Sequence, residues 1–270
     1  MKLNYKVIGD KGEPLIILHG LYGSSDNWMN IGQKLADKST VYLVDQRNHG
    51  LSPHSKSHTY EDMSDDLIEF INDHNIKRAN IIGHSMGGKT AIFCAVKNPE
   101  KISKLIVVDI SPARYSPENS DHFHLEMHKN ILNALKSLDL KNTKTIKEAE
   151  SHLAQYIPYK NVRQFLLKNL KRDENKKFYW ILNIDTLYNE LEKTMDGIQI
   201  DESTKPIESI PALFIKGEYS EYIGDDDKIK IKKLFPKATI TTIKNAGHWV
   251  HAEKQQEFLS VAKNFLAANH

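Results

Sequence analysis

The 270-residue chain contains a single cysteine, Cys94, so it cannot form an intramolecular disulfide. Cys94 lies among apolar residues of a predicted helix, and we expect it to be buried and inert. No apolar run reaches the roughly eighteen residues that a transmembrane helix needs. The first residues, Met-Lys-Leu-Asn-Tyr-Lys, also lack the apolar region of a signal peptide. These absences predict a cytoplasmic protein without a membrane partner.

An excess of charge of either sign is also missing. Lysine and arginine total 37 and aspartate and glutamate total 35, for a formal net charge of +2. This balance gives no reason to expect nucleic acid as a partner. The histidines form no H-E-x-x-H motif, and the Cys/His spacings of zinc sites are absent. There is no G-x-G-x-x-G, and we expect no Walker loop. We therefore expect no metal and no nucleotide cofactor; the sequence leaves the oligomeric state open.

One stretch organises the chain: Gly83-His84-Ser85-Met86-Gly87 has the G-x-S-x-G form of a nucleophile elbow. It follows an apolar run at 79–82 that predicts a buried strand, and it leads into a predicted helix at 89–97. An elbow holds its serine in a strained backbone conformation, and small residues on either side let strand and helix approach. A glycine-rich turn with a surface serine is the alternative, which the flanking strand and helix disfavour.

Strands and helices alternate around this stretch. The predicted strands are 14–18, 40–44, 79–82, 105–108, 212–216 and 239–243, and the predicted helices are 27–37, 60–74, 89–97, 227–235 and 253–268. This alternation predicts an α/β fold with a mostly parallel sheet and helices on both faces. The alternating residues at 3–8 and the turn at 9–12 predict an antiparallel hairpin leading into strand 14–18.

The alternation stops between 111 and 205, where the sequence becomes polar and helical. Candidate helices there are 119–138, 145–156, 161–171 and 185–194. An insertion between two sheet strands, built of helices that each bury one face, predicts a cap or lid over the carboxyl ends of the strands. We therefore predict a core of 1–110 and 206–270 with a helical cap inserted at 111–205.

A serine hydroxyl needs a base to become a nucleophile. His248 lies in the loop after the last predicted strand, and Gly247 before it allows that loop to bend sharply towards the site. We predict His248 as the general base of Ser85. His251 is the next candidate, but its place at the start of the final helix is more typical of a surface or packing residue.

The carboxylate that orients the histidine should lie between serine and histidine in chain order. The position where we expect it, three residues after Gly217, holds Ser220. Asp109 ends the strand that follows the elbow helix, and the strand-end geometry directs it to the same edge of the sheet. The sequence favours Asp109, with Glu218 and Glu221 open as alternatives and a capping role as the alternative for Asp109 itself.

Acyl transfer also needs donors for the oxyanion of the tetrahedral intermediate. The backbone N–H of Met86, directly after the nucleophile, is one candidate. The N–H of Leu21 is the second, because Gly20 permits a close approach of the backbone. We expect structural roles for His19, His49 and His84, and for Asp45 and Arg47.

Four motifs, at 45–52, 83–89, 108–112 and 246–253, together resemble the YbfF-type esterases of the α/β-hydrolase superfamily. The resemblance covers essentially the whole chain and is weakest in the cap. It implies hydrolysis of short to medium acyl esters or thioesters. Members of this branch tend to lack the aspartate after the penultimate strand, which agrees with Ser220 and supports Asp109.

The sequence therefore predicts a serine carboxylesterase that works through an acyl-enzyme intermediate, with a small-molecule acyl ester or thioester as substrate. Two alternatives remain open. One is a carbon-carbon bond hydrolase or lyase on the same fold. The other is a ligand-binding protein that keeps the catalytic residues but turns over slowly.

Overall fold

A seven-stranded sheet lies at the centre of the computed structural model, which describes residues 1–113 and 121–268. The strands of the described chain are β1 (Tyr5–Ile8), β2 (Glu13–Leu18), β3 (Ser39–Val44), β4 (Ala79–His84), β5 (Ile102–Val108), β6 (Leu170–Arg172), β7 (Phe178–Trp180), β8 (Ala212–Gly217) and β9 (Thr239–Ile243). The sheet has the order β1-β3-β2-β4-β5-β8-β9. All of its neighbours are parallel except β1 and β3. The predicted α/β fold is confirmed.

The predicted hairpin between 3–8 and 14–18 is wrong. β1 pairs antiparallel with β3, through Val7 opposite Tyr42, and β3 separates it from β2. Residues 15–18 of β2 are all buried, a pattern typical of an interior strand of a parallel sheet, and β2 lies between β3 and β4. β1 alternates between exposed and half-buried residues, a pattern suited to the sheet edge.

Helices cover both faces of the sheet. The α-helices of the described chain are α1 (Met29–Leu35), α2 (Tyr60–Asp73), α3 (Met86–Lys97), α4 (Asp121–Lys136), α5 (Ile146–Leu153), α6 (Lys160–Leu167), α7 (Ile184–Asn189), α8 (Leu191–Thr194), α9 (Asp225–Leu234), α10 (Val250–Glu253) and α11 (Gln255–Ala267). On one face, apolar side chains of α1 and α11 pack against the sheet. On the other face, α2, α3 and α9 do so. Burial of both sheet faces fits the continuous apolar runs of the central strands.

The inserted segment, residues 121–200, runs between β5 and β8 and contains α4 to α8 and the hairpin β6–β7. Its helices share an apolar cluster that includes Leu132, Leu153 and Leu166, and Tyr22 from the loop after β2 also belongs to it. The predicted helix 161–171 ends at Leu167, and its last residues form β6 instead. The first two residues of the predicted helix 119–138 lie outside the described residues. The division into a core and a cap at the proposed boundaries stays a prediction.

No helix in the described ranges combines the length and the apolar character that crossing a bilayer requires. The cytoplasmic location of the protein stays a prediction.

Candidate active site

Ser85 lies between the end of β4 and the start of α3, at the carboxyl edge of the sheet. Its backbone is strained, with φ +52° and ψ −118°, and its N–H donates to the carbonyl of Val108 at 2.9 Å. A Cβ added to Gly83 would lie 2.3 Å from the carbonyl oxygen of Gly87, so only glycine fits at position 83. The sequence thus folds into a tight strand-turn-helix that presents a serine.

The same residues, 83–90, also fit the letters G-x-x-x-x-G-K-[ST] of a phosphate-binding loop, so the expectation that the sequence holds no Walker motif was wrong. A phosphate loop needs several residues between strand and helix to surround the anion. Here only Ser85 separates β4 from α3. Lys89 is buried, and its ammonium donates to the backbone carbonyl of Asp196. The geometry is that of an elbow.

Asp109 follows β5 in a left-handed backbone conformation, with φ +55°, and its side chain is completely buried. Its Oδ2 lies 2.7 Å from Nδ1 of His248. Oδ2 also accepts a hydrogen bond from the hydroxyl of Ser220, and Oδ1 accepts one from the N–H of Gly217 at 3.0 Å. Both oxygens of this buried group therefore have hydrogen-bond partners, as buried polar groups require. The fold thus fixes the Asp109 side chain beside the imidazole.

Glu218 and Glu221, the alternatives to Asp109, are both exposed. Glu218 accepts a hydrogen bond from the N–H of Asn245 at 2.9 Å and so closes the loop on the surface. Within the described residues, the carboxylate bonded to His248 is that of Asp109.

Two rings enclose the imidazole of His248. The ring of Tyr222 stacks on it at a centroid distance of 4.1 Å, and that of His84 lies at 4.7 Å. Burial, with His251 and His248 nearby, holds the pKa of His84 well below its usual value, so His84 is neutral. Its Nε2 lies 3.0 Å from the carbonyl of His248 and donates to it. His84 thus connects the serine turn to the histidine loop.

His251, the second candidate base, packs under the site. Its ring stacks on Trp28 at 4.1 Å and with an interplanar angle of 9°. Burial, together with His248, lowers its pKa to about 3. The structure places His251 as a neutral packing residue.

The turn at 20–23 lies against the serine, and it contains Leu21, whose N–H is the second predicted oxyanion donor. The carbonyl of Gly20 accepts hydrogen bonds from the N–H of Gly23 and from Nδ1 of His19, each at 2.9 Å. Because a trans peptide unit is planar, the N–H of Leu21 points away from that carbonyl. A Cβ on Gly20 would lie 3.2 Å from Cβ of Ser85, so the turn and the serine are in close contact.

The N–H of Leu21 and the N–H of Met86 share a further property. Neither donates a hydrogen bond to another group among residues 1–113 and 121–268. Leu21 is half-buried and Met86 is buried. Their role as oxyanion donors stays a prediction.

His19 holds the turn at 20–23 from below. Its Nε2 accepts the N–H of Gln46 at 3.0 Å, so the proton of the ring resides on Nδ1 and is donated to Gly20. Burial lowers the pKa of His19. His19 therefore has the expected structural role, as a neutral imidazole protonated on Nδ1.

Comparison with known proteins identifies the family of the chain. A family model described as the alpha/beta hydrolase fold matches residues 13–255. The chain belongs to the α/β-hydrolase family. The "sn-1-specific diacylglycerol lipase ABHD11" of Danio rerio is 37% identical over 270 residues, which cover 98% of this chain and 83% of that protein. "Esterase YbfF" of Escherichia coli is 32% identical over 270 residues, covering 98% and 99%.

The solved structure "Marine microorganism esterase" superposes on this α/β-hydrolase with a TM-score of 0.92 and 46% identity, covering 98% of this chain and 99% of that one. The predicted membership in the YbfF-like branch is confirmed. The chain is an enzyme of the esterase and lipase type.

A cavity of about 270 Å³ opens beside Ser85 and His248. The inserted segment supplies much of its wall, through Met127, Ile131, Val162, Phe165 and Leu166. Among the described residues that line the cavity, none is a lysine, arginine, aspartate or glutamate. The cavity of this α/β-hydrolase therefore fits an uncharged, apolar group placed next to the serine.

Asp45 and Arg47 lie away from the serine and stabilise the loop after β3. The carboxylate of Asp45 accepts hydrogen bonds from the N–H groups of Ser25 and Leu51, at 2.6 and 3.0 Å. Arg47 forms a two-pronged ion pair with Asp66, at 2.6 and 2.9 Å. Within the described ranges, no group of three or more His, Cys, Asp or Glu side chains is arranged to hold a metal ion.

Proposed function

We propose that this α/β-hydrolase is a carboxylesterase that cleaves short to medium acyl esters or thioesters through an acyl-enzyme on Ser85. The observation that carries the proposal is the 2.7 Å hydrogen bond between His248 and Asp109. His248 lines the same cavity as Ser85. The esterases and lipases among its relatives support the reaction class.

In the first step, His248 acts as the general base. Asp109 holds the proton of the imidazole on Nδ1, so Nε2 is free to accept the proton of the Ser85 hydroxyl. The serine oxygen then attacks the acyl carbon, and the carbonyl oxygen becomes an oxyanion. The N–H groups of Leu21 and Met86 donate to this oxyanion. Because these donors are fixed beforehand, they stabilise the transition state without reorganisation.

In the second step, the tetrahedral intermediate collapses. The protonated His248 gives its proton to the leaving alcohol or thiol, and the acyl group stays on Ser85 as an ester. A water then enters, His248 takes a proton from it, and the hydroxide attacks the acyl carbon. Release of the carboxylic acid returns Ser85 and His248 to their initial state.

The cavity defines the acyl group. Its volume of about 270 Å³ lies just below the roughly 300–1,000 Å³ that is typical of ligand pockets. Each methylene that leaves water for its apolar wall contributes about 0.8 kcal/mol to binding. A carboxylate or ammonium on the acyl chain would find no partner in the lining and would be costly to bury. We therefore expect neutral acyl groups of short to medium length.

Pre-steady-state hydrolysis of p-nitrophenyl esters, from acetate to laurate, tests the proposal. We expect a burst of one p-nitrophenolate per chain, because acylation releases it before the acyl-enzyme hydrolyses. The Ser85→Ala variant should show no burst and a loss of several orders of magnitude in kcat. Ester turnover that persists in Ser85→Ala would contradict the proposal.

The same assay separates the alternatives. Activity on a vinylogous diketone without turnover of any ester would indicate a carbon-carbon bond hydrolase. Tight binding of an ester analogue without a burst would indicate a binding protein.

A further inference from the structure

Tyr22 has a backbone φ of +63°, a left-handed conformation that is unfavourable for a residue with a Cβ. It is the third residue of the turn at 20–23, a position that glycine usually occupies when φ is positive. The turn closes through the hydrogen bond from Gly23 to the carbonyl of Gly20. That carbonyl belongs to the peptide unit that carries the N–H of Leu21. The direction of this donor therefore depends on Tyr22 remaining in a strained conformation.

Side chains from two distant parts of the chain hold the backbone of Tyr22. Its N–H donates to Nε2 of His49 at 3.1 Å, and its carbonyl accepts from Nδ2 of Asn169 at 2.8 Å. Tyr22, His49 and Asn169 are all buried, so water does not compete for these two hydrogen bonds. A strained residue persists where its surroundings determine its conformation in this way.

Asn169 is itself fixed within the inserted segment. It lies between α6 and β6, where its N–H donates to the carbonyl of Leu166 and its carbonyl accepts from the N–H of Ile181, each at 3.0 Å. Its side-chain amide also donates to Leu166, at 3.1 Å. These hydrogen bonds fix the side-chain amide that donates to Tyr22. Leu166, which accepts two of them, also lines the cavity.

We propose that Asn169 is a positioning residue for the reaction. Through the carbonyl of Tyr22 it holds the turn at 20–23 in the conformation that presents the N–H of Leu21 to the oxyanion. The inserted segment therefore completes the oxyanion site in addition to forming the wall of the cavity. This inference rests on the proposed function, because it takes the N–H of Leu21 as an oxyanion donor.

The Asn169→Ala variant tests the inference through the split between kcat and KM. An oxyanion donor acts on the transition state, so we expect kcat to fall about 10- to 100-fold with KM unchanged. That loss is smaller than the roughly 10²- to 10³-fold expected for removing a donor outright. The affinity for a trifluoromethyl ketone, whose serine adduct carries an oxyanion, should weaken by a similar factor. Rates are expressed per active site, titrated with a phosphonate, so that unfolded protein does not contribute.

Asn183→Ala is the matched control. Asn183 also belongs to the inserted segment, and its amide donates to Oδ1 of Asn48 and to the carbonyl of Ser55, each at 3.0 Å. It docks the segment without bonding to the turn at 20–23. We expect kcat of this variant to change by less than about threefold. An equal loss of kcat in both variants would show a general loosening of the segment and overturn the inference.

A second comparison uses Tyr22→Gly. Glycine adopts positive φ without strain, so the part of Asn169 in holding a strained residue 22 should shrink in this background. Rates are compared with Tyr22→Gly itself, because the ring that this change removes also lines the cavity. We expect Asn169→Ala to lower kcat by less than about threefold in Tyr22→Gly. An undiminished effect there would mean that Asn169 does not act through Tyr22. Should Asn169→Ala fail to fold, Asn169→Ser replaces it in both backgrounds.

Failure of this inference is distinct from failure of the proposed function. If the wild type shows a Ser85-dependent burst and Asn169→Ala retains its kcat, only the role of Asn169 is wrong. If the wild type shows no burst on any ester, the proposed function itself is wrong.

Discussion

The hydroxyl of Ser220 donates a hydrogen bond to Oδ2 of Asp109, the same oxygen that bonds to Nδ1 of His248. Ser220 follows β8 and occupies the position where the sequence led us to expect the carboxylate. The carboxylate instead comes from the neighbouring strand β5, and the serine serves it as a donor. The two positions therefore meet at one point in space, although 111 residues separate them in the chain.

Because Ser220 and His248 bond to the same oxygen of Asp109, we predict that a carboxylate at position 220 can replace the one at position 109. Asp109→Asn should lower kcat by about 10⁴-fold, because an amide favours the wrong tautomer of the histidine. In Asp109→Asn/Ser220→Asp a carboxylate again lies beside Nδ1 of His248, and we expect at least about a tenfold recovery of kcat. Asp109→Asn/Ser203→Asp, which adds the same charge at an exposed serine, should give none. Steady-state kinetics on one p-nitrophenyl ester measures all three variants, and equal rates would contradict the shared position.

The sequence predicted the sheet, the order of its helices and the edge at which the candidate residues gather, because strand periodicity and strand ends are local features. The predicted pairing of β1 with β2 was wrong, because a glycine-rich turn between two strands does not determine whether they are neighbours in the sheet. The hairpin β6–β7 was missed because β6 is three residues long and two of them are charged.

Other features of the site depend on contacts that a sequence does not show. Tyr22 adopts positive φ with no glycine to indicate it. Asn169 reaches it across 147 residues of sequence. The sequence showed a serine, Ser220, where an aspartate was expected. It did not show that this serine donates a hydrogen bond to Asp109.

The close contact of the turn at 20–23 with the serine turn predicts that Gly20 tolerates no side chain. A Cβ at Gly20 would lie 2.8 Å from Nδ1 of the buried His84. Gly20→Ala should therefore lower stability by about 1–3 kcal/mol through overpacking, and kcat by at least about tenfold through displacement of the oxyanion site. Gly224→Ala is the control, because its nearest neighbour would be a side-chain oxygen of Asp227 at 3.6 Å. Urea unfolding and ester kinetics on both variants check the difference.

Buried neutral histidines predict a loss of stability in mild acid. Burial lowers the pKa of His58 and that of His251 to about 3, below the value of about 6.5 in the unfolded chain. Between these values the unfolded chain binds protons that the folded chain does not, so stability falls as the pH drops from about 6.5 towards 3. Each of the two should contribute about 2 kcal/mol of loss between pH 7 and pH 5.

Urea unfolding at pH 7 and pH 5 measures this loss. In His251→Phe, where an apolar ring can still stack on Trp28, the difference between the two pH values should shrink by about 2 kcal/mol. An unchanged difference in this variant would contradict the neutral state of His251.

The cavity wall predicts the acyl-chain preference. Val162 lines the cavity from α6, so Val162→Trp should fill part of it. We expect kcat/KM for the longer p-nitrophenyl esters to fall at least about tenfold, with acetate hydrolysis changed by less than about threefold. Val7→Trp, on the exposed edge strand, is the control and should leave the profile unchanged. A uniform loss for all chain lengths in Val162→Trp would mean that the acyl group does not occupy this cavity.

In the proposed reaction Ser85 carries the acyl group. Rapid acid quench during turnover of a slowly deacylating ester, followed by intact-mass and peptide-mass analysis, detects this intermediate. We predict one acyl group per chain, located on Ser85 and absent from Ser85→Ala. An acyl group on another residue, or full turnover without any adduct, would contradict the proposed mechanism.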